Sequence, residues 1–364
     1  MRSSLRVSNA PTVERARTIT PFGLTDRQGR FLVTVMLHSG VFVGRQYAAF
    51  AGINHGQKVH DFIEKLLARR LVTAIELELT GRTKIFHVHH KPLYAAIGER
   101  DNRNRRRVTI DRAIERLMVL DGVLADRSPT WLGSEREKRR YFRGRLADHL
   151  RDDEYPRLMF GKQPDVTVRY FPDKLPIGYE RDRYRHVFLY LARSPSPMAF
   201  RVFILRHLEL LNALGFWTSR VLFPRSLAAS IDAYRNAARE LLTRPLSLSQ
   251  TEELTWFLRQ SHMPEQDASA ADRARLQATR KAFRSPRFAA IRRQWLAEGN
   301  RAVFLAASPV ARDTLERRRA SVECVELPHN YEHLVALARR VARRKAQSRG
   351  DEALGISVPP LPPP

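Results

Sequence analysis

Residues 25–88 read TDRQGRFLVTVMLHSGVFVGRQYAAFAGINHGQKVHDFIEKLLARRLVTAIELELTGRTKIFHV. Thr25 is suited to cap a first helix, because its side chain can accept a hydrogen bond from the first turn. Small residues and a glycine within 43–53 predict a second helix that closely approaches its neighbour and then turns. Asn54 is suited to cap a third helix. Its core-facing stripe follows helical spacing at Val59, Phe62, Ile63, Leu66 and Leu67.

The hydrophobic period changes from helical to alternating after Val72. Residues 75–79 alternate between apolar residues and glutamate, Gly81 supplies a turn, and residues 85–88 provide a returning strand. Three helices followed by a two-stranded hairpin are typical of a winged helix-turn-helix, a fold that often binds DNA. The alternative interpretation is a small helical and hairpin module that contacts proteins.

The polar face of the third helix is the one expected to enter a DNA major groove, with its N-terminal residues nearest the base edges. Basic residues on the hairpin and after it are suited to phosphate contacts. The candidate nucleic-acid-binding residues are Arg45, Gln57, Lys58, His60, Asp61, Lys65, Arg82, Lys84, Arg105, Arg106 and Arg107.

Net charge points to a polyanionic partner. The chain of 364 residues carries a formal net charge of +26, and its sequence pI is about 11.1. No apolar run approaches the roughly 20 residues of a membrane-spanning helix, so we expect double-stranded DNA rather than a membrane as the partner. Charge alone does not distinguish DNA from structured RNA as the partner, because the phosphates of both attract the same arginines.

The cysteine content predicts a reducing, cytoplasmic location. Cys324 is the one cysteine of the chain, so neither an intramolecular disulfide nor a thiolate zinc site can form. Its alternating apolar surroundings indicate a buried strand residue rather than a nucleophile. His87, His89 and His90 are expected to be surface residues near phosphate rather than metal ligands. We predict no cofactor, no metal site and no catalytic residue.

The order of predicted helices and strands indicates an α+β N-terminal winged helix followed by an α/β C-terminal domain. Strands and helices alternate from Gln163 onward, which is typical of a sheet with helical crossovers. The expected organisation is a basic flexible arm (1–23), the winged helix (24–98), a basic linker with helices (99–160), the α/β domain (161–346) and a proline-rich disordered tail (347–364).

The strand and helix order of the second domain resembles the core of the PD-(D/E)XK nuclease superfamily. That resemblance implies carboxylates and a lysine on adjacent strands that hold a divalent cation for phosphodiester cleavage. Asp165 matches the first carboxylate, whereas the strand at 187–193 has neither the second carboxylate nor the lysine. Glu180 and Asp182 in the preceding turn offer a displaced site. The resemblance therefore implies a degenerate core, with a metal-dependent nuclease as the alternative.

A winged helix followed by such a domain resembles the replication-relaxation family of plasmids and integrative elements. This resemblance implies an accessory or regulatory DNA-binding protein of a bacterial mobile element, acting in replication, transfer or transcription regulation. A further alternative is a scaffold subunit of a nucleoprotein assembly. The helix from Thr109 is suited to pair with a second copy, so a homodimer or protein partners are also expected.

Overall fold

The computed structural model describes residues 10–75, 84–161, 164–262 and 269–336. The chain combines helices with several sheets and divides into two compact units. The first contains the described residues of Met1–Leu124 and Pro328–Pro364, and the second is formed by Ala125–Leu327. The segment predicted as a basic linker, 99–160, therefore contributes to both units. No helix within the described ranges is both long enough and apolar enough to cross a membrane.

Helices surround a small sheet in the first unit. Its helices are α1 (Ala10–Thr18), α2 (Asp26–His38), α3 (Gly44–Ala51), α4 (Gln57–Ala68), α5 (Lys91–Ala96) and α6 (Ile110–Ala125), with 3-10 turns at Thr20–Phe22 and Arg103–Arg105. Its strands are β1 (Val41–Phe42), β2 (Val72–Ile75) and β3 (Ile85–Val88). They form an antiparallel sheet in the order β1-β3-β2.

Local sequence signals explain how α2 begins. Thr25 Oγ1 accepts a hydrogen bond from Gln28 N, and Gln28 Oε1 accepts one from Thr25 N, so the two residues form a capping box. The predicted cap at Thr25 is therefore confirmed. The preceding residues differ from the expected flexible arm, because 10–18 and 20–22 are helical and Ala16 and Ile19 are buried in the core of this unit.

The second unit has a larger sheet and more helices. Its strands are β4 (Thr130–Leu132), β5 (Arg157–Phe160), β6 (Thr167–Tyr170), β7 (Ile177–Glu180), β8 (Arg185–Leu191), β9 (Trp217–Phe223) and β10 (Ala320–Glu326). Its helices are α7 (Glu135–Leu146), α8 (Met198–Ala213), α9 (Ile231–Leu242), α10 (Leu248–Gln260), α11 (Ala270–Ala282), α12 (Pro286–Glu298), α13 (Arg301–Ala307) and α14 (Val310–Glu316), with 3-10 turns at Asp152–Glu154 and Arg225–Ser230.

Strands β8, β9 and β10 are parallel, and β7 and β4 extend the same sheet in antiparallel orientation, which gives the order β10-β9-β8-β7-β4. Strands β5 and β6 form a separate antiparallel hairpin. The predicted crossover from β8 through α8 to β9 is confirmed. The apolar run at 302–305 lies in α13, and such a short run is compatible with either a strand or a helix.

Candidate nucleic-acid interface

Helix α4 is held against the rest of the first unit by one apolar face. Val59, Phe62 and Leu66 are each at most 1% exposed. The Phe62 ring lies 4.0 Å from that of Tyr47 on α3, measured between centroids, and 6.1 Å from that of Phe31 on α2. This aromatic packing fixes the helix and leaves its opposite face exposed.

The exposed face of α4 is electrically balanced, with two lysines and two carboxylates along the helix. Gln57 Nε2 donates a hydrogen bond to Asp61 Oδ1 at 2.6 Å, and His60 Nε2 lies 2.9 Å from Glu64 Oε1. Lys58 is exposed at the start of this face. The structure thus brings Gln57, Lys58, His60 and Asp61 together on one accessible surface.

The C-terminal part of the same helix is less available. Lys65 is half-buried, and its Nζ donates to Gln28 Oε1 on α2 at 3.3 Å. This contact ties Lys65 to the scaffold. Its predicted role in binding therefore competes with an internal hydrogen bond.

The start of α4 has no side-chain cap among the residues that the structure describes. Gly56, rather than the predicted Asn54, occupies the N-cap position, and it has no side chain that could accept a hydrogen bond from the first turn. That turn, which the structure describes in full, contains no acidic residue. A helix N-terminus of this kind favours an anion, because its N–H groups and the helix dipole both present positive charge.

Lys84 is exposed immediately before β3, the central strand of the small sheet. Arg82, the predicted tip residue, lies outside the described residues, as does Gly81. The returning strand predicted at 85–88 is confirmed, because Ile85 to Val88 pair antiparallel with Ile75 to Val72. Of the first predicted strand, 75–79, residues 76–79 lie outside the described residues.

A short 3-10 turn places Arg105, Arg106 and Arg107. Asn104 Nδ2 donates to the carbonyl oxygens of Met36 at 3.0 Å and of Leu37 at 3.1 Å, which fastens the turn to the C-terminal end of α2. Arg106 and Arg107 are exposed, whereas Arg105 is half-buried. This segment, the basic turn (residues 103–107), is therefore an anchored basic surface rather than a plain linker.

His87 of β3 and the two histidines that follow the strand, His89 and His90, differ from their prediction as surface residues. His87 is 3% exposed, and its Nε2 lies 3.1 Å from the carbonyl oxygen of Asn104. Burial lowers the pKa of His87, and nearby Arg107 and His89 lower it further. A neutral His87 therefore helps to position the basic turn, while His89 and His90 are half-buried.

Arg45 has an internal role that the sequence did not predict. Its guanidinium pairs with Asp121 of α6, and its Nη2 also donates to the Tyr331 hydroxyl at 2.6 Å. Gln46 Nε2 donates to the same aspartate at 2.7 Å. Arg45 is thus committed to holding α3 on α6, and we leave it out of the nucleic-acid interface.

The carboxylates considered for a metal site do not come together. Asp165 is exposed in the turn between β5 and β6, whereas Glu180 ends β7 in the five-stranded sheet and Asp182 follows it in an exposed turn. Within the described ranges, no group of three or more histidine, cysteine, aspartate or glutamate residues is arranged to hold a metal ion. Cys324 is half-buried on β10, and burial raises the pKa of its thiol.

A basic cleft in the second unit was missed as a site. Its lining residues are Glu135, Arg136, Arg139, Arg140, Arg143 and Arg169, and its volume is about 660 Å³. The available signal was the spacing of four of the five arginines of α7, since positions i, i+3, i+4 and i+7 share one helix face. The contribution of Arg169 depends on the fold.

No protein-family model, curated protein or solved structure was found that matches this chain.

Proposed function

We propose that the first unit binds duplex DNA as a winged helix, with α4 as the recognition helix. The observation that carries this proposal is the packing of α4. Its apolar face is buried against α2 and α3, its polar face is exposed apart from the half-buried Lys65, and two antiparallel strands follow it. A recognition helix needs this combination, because it must be rigidly held and still reach the base edges.

The charges suggest a division of roles. Because α4 has as many carboxylates as lysines, it gains little from general attraction to phosphate, so its polar side chains are suited to reading base edges. Lys84, Arg106 and Arg107 and the N-terminus of α4 supply contacts to the backbone. The formal net charge of +26 supports a polyanionic partner for the whole chain.

The biological role proposed with this activity is that of an accessory or regulatory DNA-binding factor of a bacterial mobile element. Its support is the resemblance of the sequence to the replication-relaxation family. No reaction is assigned to the chain.

The test is a comparison of two lysines in the first unit. Lys58 lies on the proposed contact face, while Lys91 is an exposed lysine at the start of α5. Binding of the full chain to a fluorescent mixed-sequence duplex is measured by anisotropy at two salt concentrations. We expect Lys58→Glu to weaken binding roughly tenfold or more, because the reversed charge faces the DNA, and Lys91→Glu to have a much smaller effect. Equal affinities of the two variants would remove α4 from the interface.

A further inference from the structure

The basic cleft of the second unit is built from a helix with two different faces. Phe142 and Leu146 of α7 are buried, and Lys138, at 1% exposed, donates from Nζ to the carbonyl oxygen of Leu175 at 2.8 Å. These contacts anchor α7. The stripe formed by Arg136, Arg139, Arg140 and Arg143 lines the cleft and extends for about 10 Å along the helix axis, enough for about three successive phosphates of a stacked strand.

The arginines that line this cleft differ in their internal partners. Arg143 pairs with Asp152, from Nε to Oδ1 at 2.7 Å. Glu135 lines the cleft, and its Oε1 accepts a hydrogen bond from Tyr170 N at 3.2 Å. Arg140 and Arg169 are exposed and form no ion pair within the described part of the chain. Folding therefore concentrates like charges that an anionic ligand would stabilise.

Arg139 is held in an orientation suited to phosphate. The carbon at the centre of its guanidinium lies 4.1 Å from the centre of the Tyr170 ring, and its buried Nε has no hydrogen-bond partner among the described residues. Stacking on an aromatic ring restrains a guanidinium and leaves its in-plane donors available for oxygen acceptors. Because Nε is buried, phosphate oxygens would contact the Nη donors of this guanidinium.

The β5–β6 hairpin carries an exposed aromatic side chain on the same face as Arg169, which lines the cleft. Leu158 pairs with Arg169 and Phe160 with Thr167, so Arg169 and Phe160 lie on the same face in diagonal positions, about 7–8 Å apart. Phe160 is 52% exposed. An aromatic ring next to a basic groove is typical of proteins that bind single strands, where bases stack on aromatic residues while arginines follow the backbone.

We propose that this cleft binds single-stranded nucleic acid, with its phosphates along the α7 arginines and Arg169 and a base stacked on Phe160. A duplex fits less well, because its bases are already stacked and cannot offer a free face to Phe160. An acidic polypeptide could pair with the arginines but would not need the aromatic ring. This site belongs to the second unit and does not depend on duplex binding by the first.

The test uses the full chain and a fluorescent oligothymidylate of about 12 nucleotides, within the length range that such grooves bind. The charge variant is Arg140→Gln with Arg169→Gln, and its control is Arg239→Gln with Arg280→Gln on α9 and α11. The stacking variants are Phe160→Ala and Phe160→Trp, and their control is Phe304→Ala on α13, where the phenylalanine is 62% exposed. Tryptophan fluorescence checks that each variant retains its fold.

We expect the charge variant to lower the slope of log affinity against log salt by about 1.4, at about 0.7 for each lost contact. Phe160→Ala should weaken binding roughly tenfold, Phe160→Trp should restore it, and all control variants should bind like the unmodified chain. Loss of binding in the charge variant without any effect of Phe160→Ala would overturn the proposal, as would equally effective competition by polyglutamate.

Binding of both the duplex and the oligothymidylate is measured on Lys58→Glu and on the cleft variants, and the comparison separates the two proposals. If Lys58→Glu leaves duplex affinity unchanged while the cleft variants lose oligothymidylate binding, the recognition-helix proposal fails and the single-strand site stands. If the cleft variants bind oligothymidylate like their controls, the single-strand site fails whatever the duplex result.

Discussion

Arg45 donates two hydrogen bonds to Asp121, from Nη1 to Oδ1 at 3.0 Å and from Nη2 to Oδ2 at 2.8 Å. Asp121 is 7% exposed and also accepts hydrogen bonds from Gln46 and from the Tyr331 hydroxyl. One carboxylate therefore joins α3, α6 and the segment that contains Tyr331. Planar, two-point pairing of this kind is geometrically demanding, so the network fixes the position of α3, the helix that supports α4.

Replacing Asp121 by alanine should destabilise the first unit. The change removes the carboxylate that pairs with the Arg45 guanidinium and accepts from Gln46 and Tyr331, at a cost of roughly 3 kcal/mol of unfolding free energy. Gln46 Nε2 keeps its hydrogen bond to the carbonyl oxygen of Leu117, and Arg45 Nη2 keeps its hydrogen bond to the Tyr331 hydroxyl. All four tryptophans lie in the second unit, so tryptophan fluorescence does not report on the first. Hydrogen exchange of α2 and β3 therefore measures the stability of the first unit. The control is Asp111→Ala on the exposed first turn of α6. A loss no larger than that of the control would show that the network is not stabilising.

Gly40 tests the anchoring of the basic turn. Its φ is +76°, and a Cβ atom at this position would lie 2.3 Å from the carbonyl oxygen of Asn104. Gly52 also has a positive φ, +64°, but a Cβ there would meet open space. Gly52→Ala should therefore cost about 1 kcal/mol for the backbone conformation alone. Gly40→Ala should cost at least about 2 kcal/mol, because the backbone must also move.

Hydrogen exchange of α2 compares the two alanine variants. The 3-10 turn at Arg103–Arg105 should lose protection in Gly40→Ala and keep it in Gly52→Ala. Equal destabilisation by both variants would contradict the steric argument and leave only the shared positive φ as the cause.

Two buried histidines should make the second unit sensitive to acid. Burial lowers the pKa of His186 and of His207 from 6.5 to about 4. Below pH 6.5 the unfolded chain takes up protons that the folded unit does not, so the free energy of unfolding falls as the pH decreases toward 4. Between pH 6.5 and pH 5 each histidine should contribute a loss of about 2 kcal/mol.

Urea unfolding followed by tryptophan fluorescence measures this effect. His207→Gln removes one titrating group and should flatten the pH dependence by about half, although it lowers stability at neutral pH. His149→Gln, at an exposed position of the same unit, is the matched control and should leave the profile unchanged. A profile for His207→Gln as steep as that of the unmodified chain would show that His207 is not responsible.

Local signals in the sequence predicted individual helices and strands better than they predicted contacts between distant residues. The cap at Thr25, most of the core stripe of α4 and the crossover from β8 to β9 depend on neighbouring residues or on strong periodicity, so they could be predicted directly. Leu67, predicted as part of that stripe, is instead 37% exposed. The Arg45 interaction with Tyr331 joins residues 286 positions apart, and no periodicity reports such a contact. The same limit hid Arg169, because only folding brings it beside α7.

Variants of Arg106 and Arg107 distinguish contacts to the DNA backbone from contacts to the base edges. Both are exposed, and the hydrogen bonds from Asn104 Nδ2 to Met36 and Leu37 hold their segment on α2. If they contact phosphates of a duplex, replacing both by glutamine should lower the salt slope by about 1.8, at about 0.9 for each phosphate contact, without changing the preferred sequence. Lys58→Ala should instead weaken binding and relax the sequence preference, because α4 is the proposed reader of base edges.

Selection of preferred sites from a random duplex pool, followed by salt titration on the selected site, measures both quantities. The control is Arg112→Gln, an exposed arginine that pairs with Glu115 on α6. Asn104→Ala should reduce the salt slope in the same direction as the double glutamine variant, since it frees the turn that carries the two arginines. If the double variant instead changes the preferred sequence while its salt slope stays constant, the two arginines read bases, and the division of roles between the basic turn and α4 is wrong.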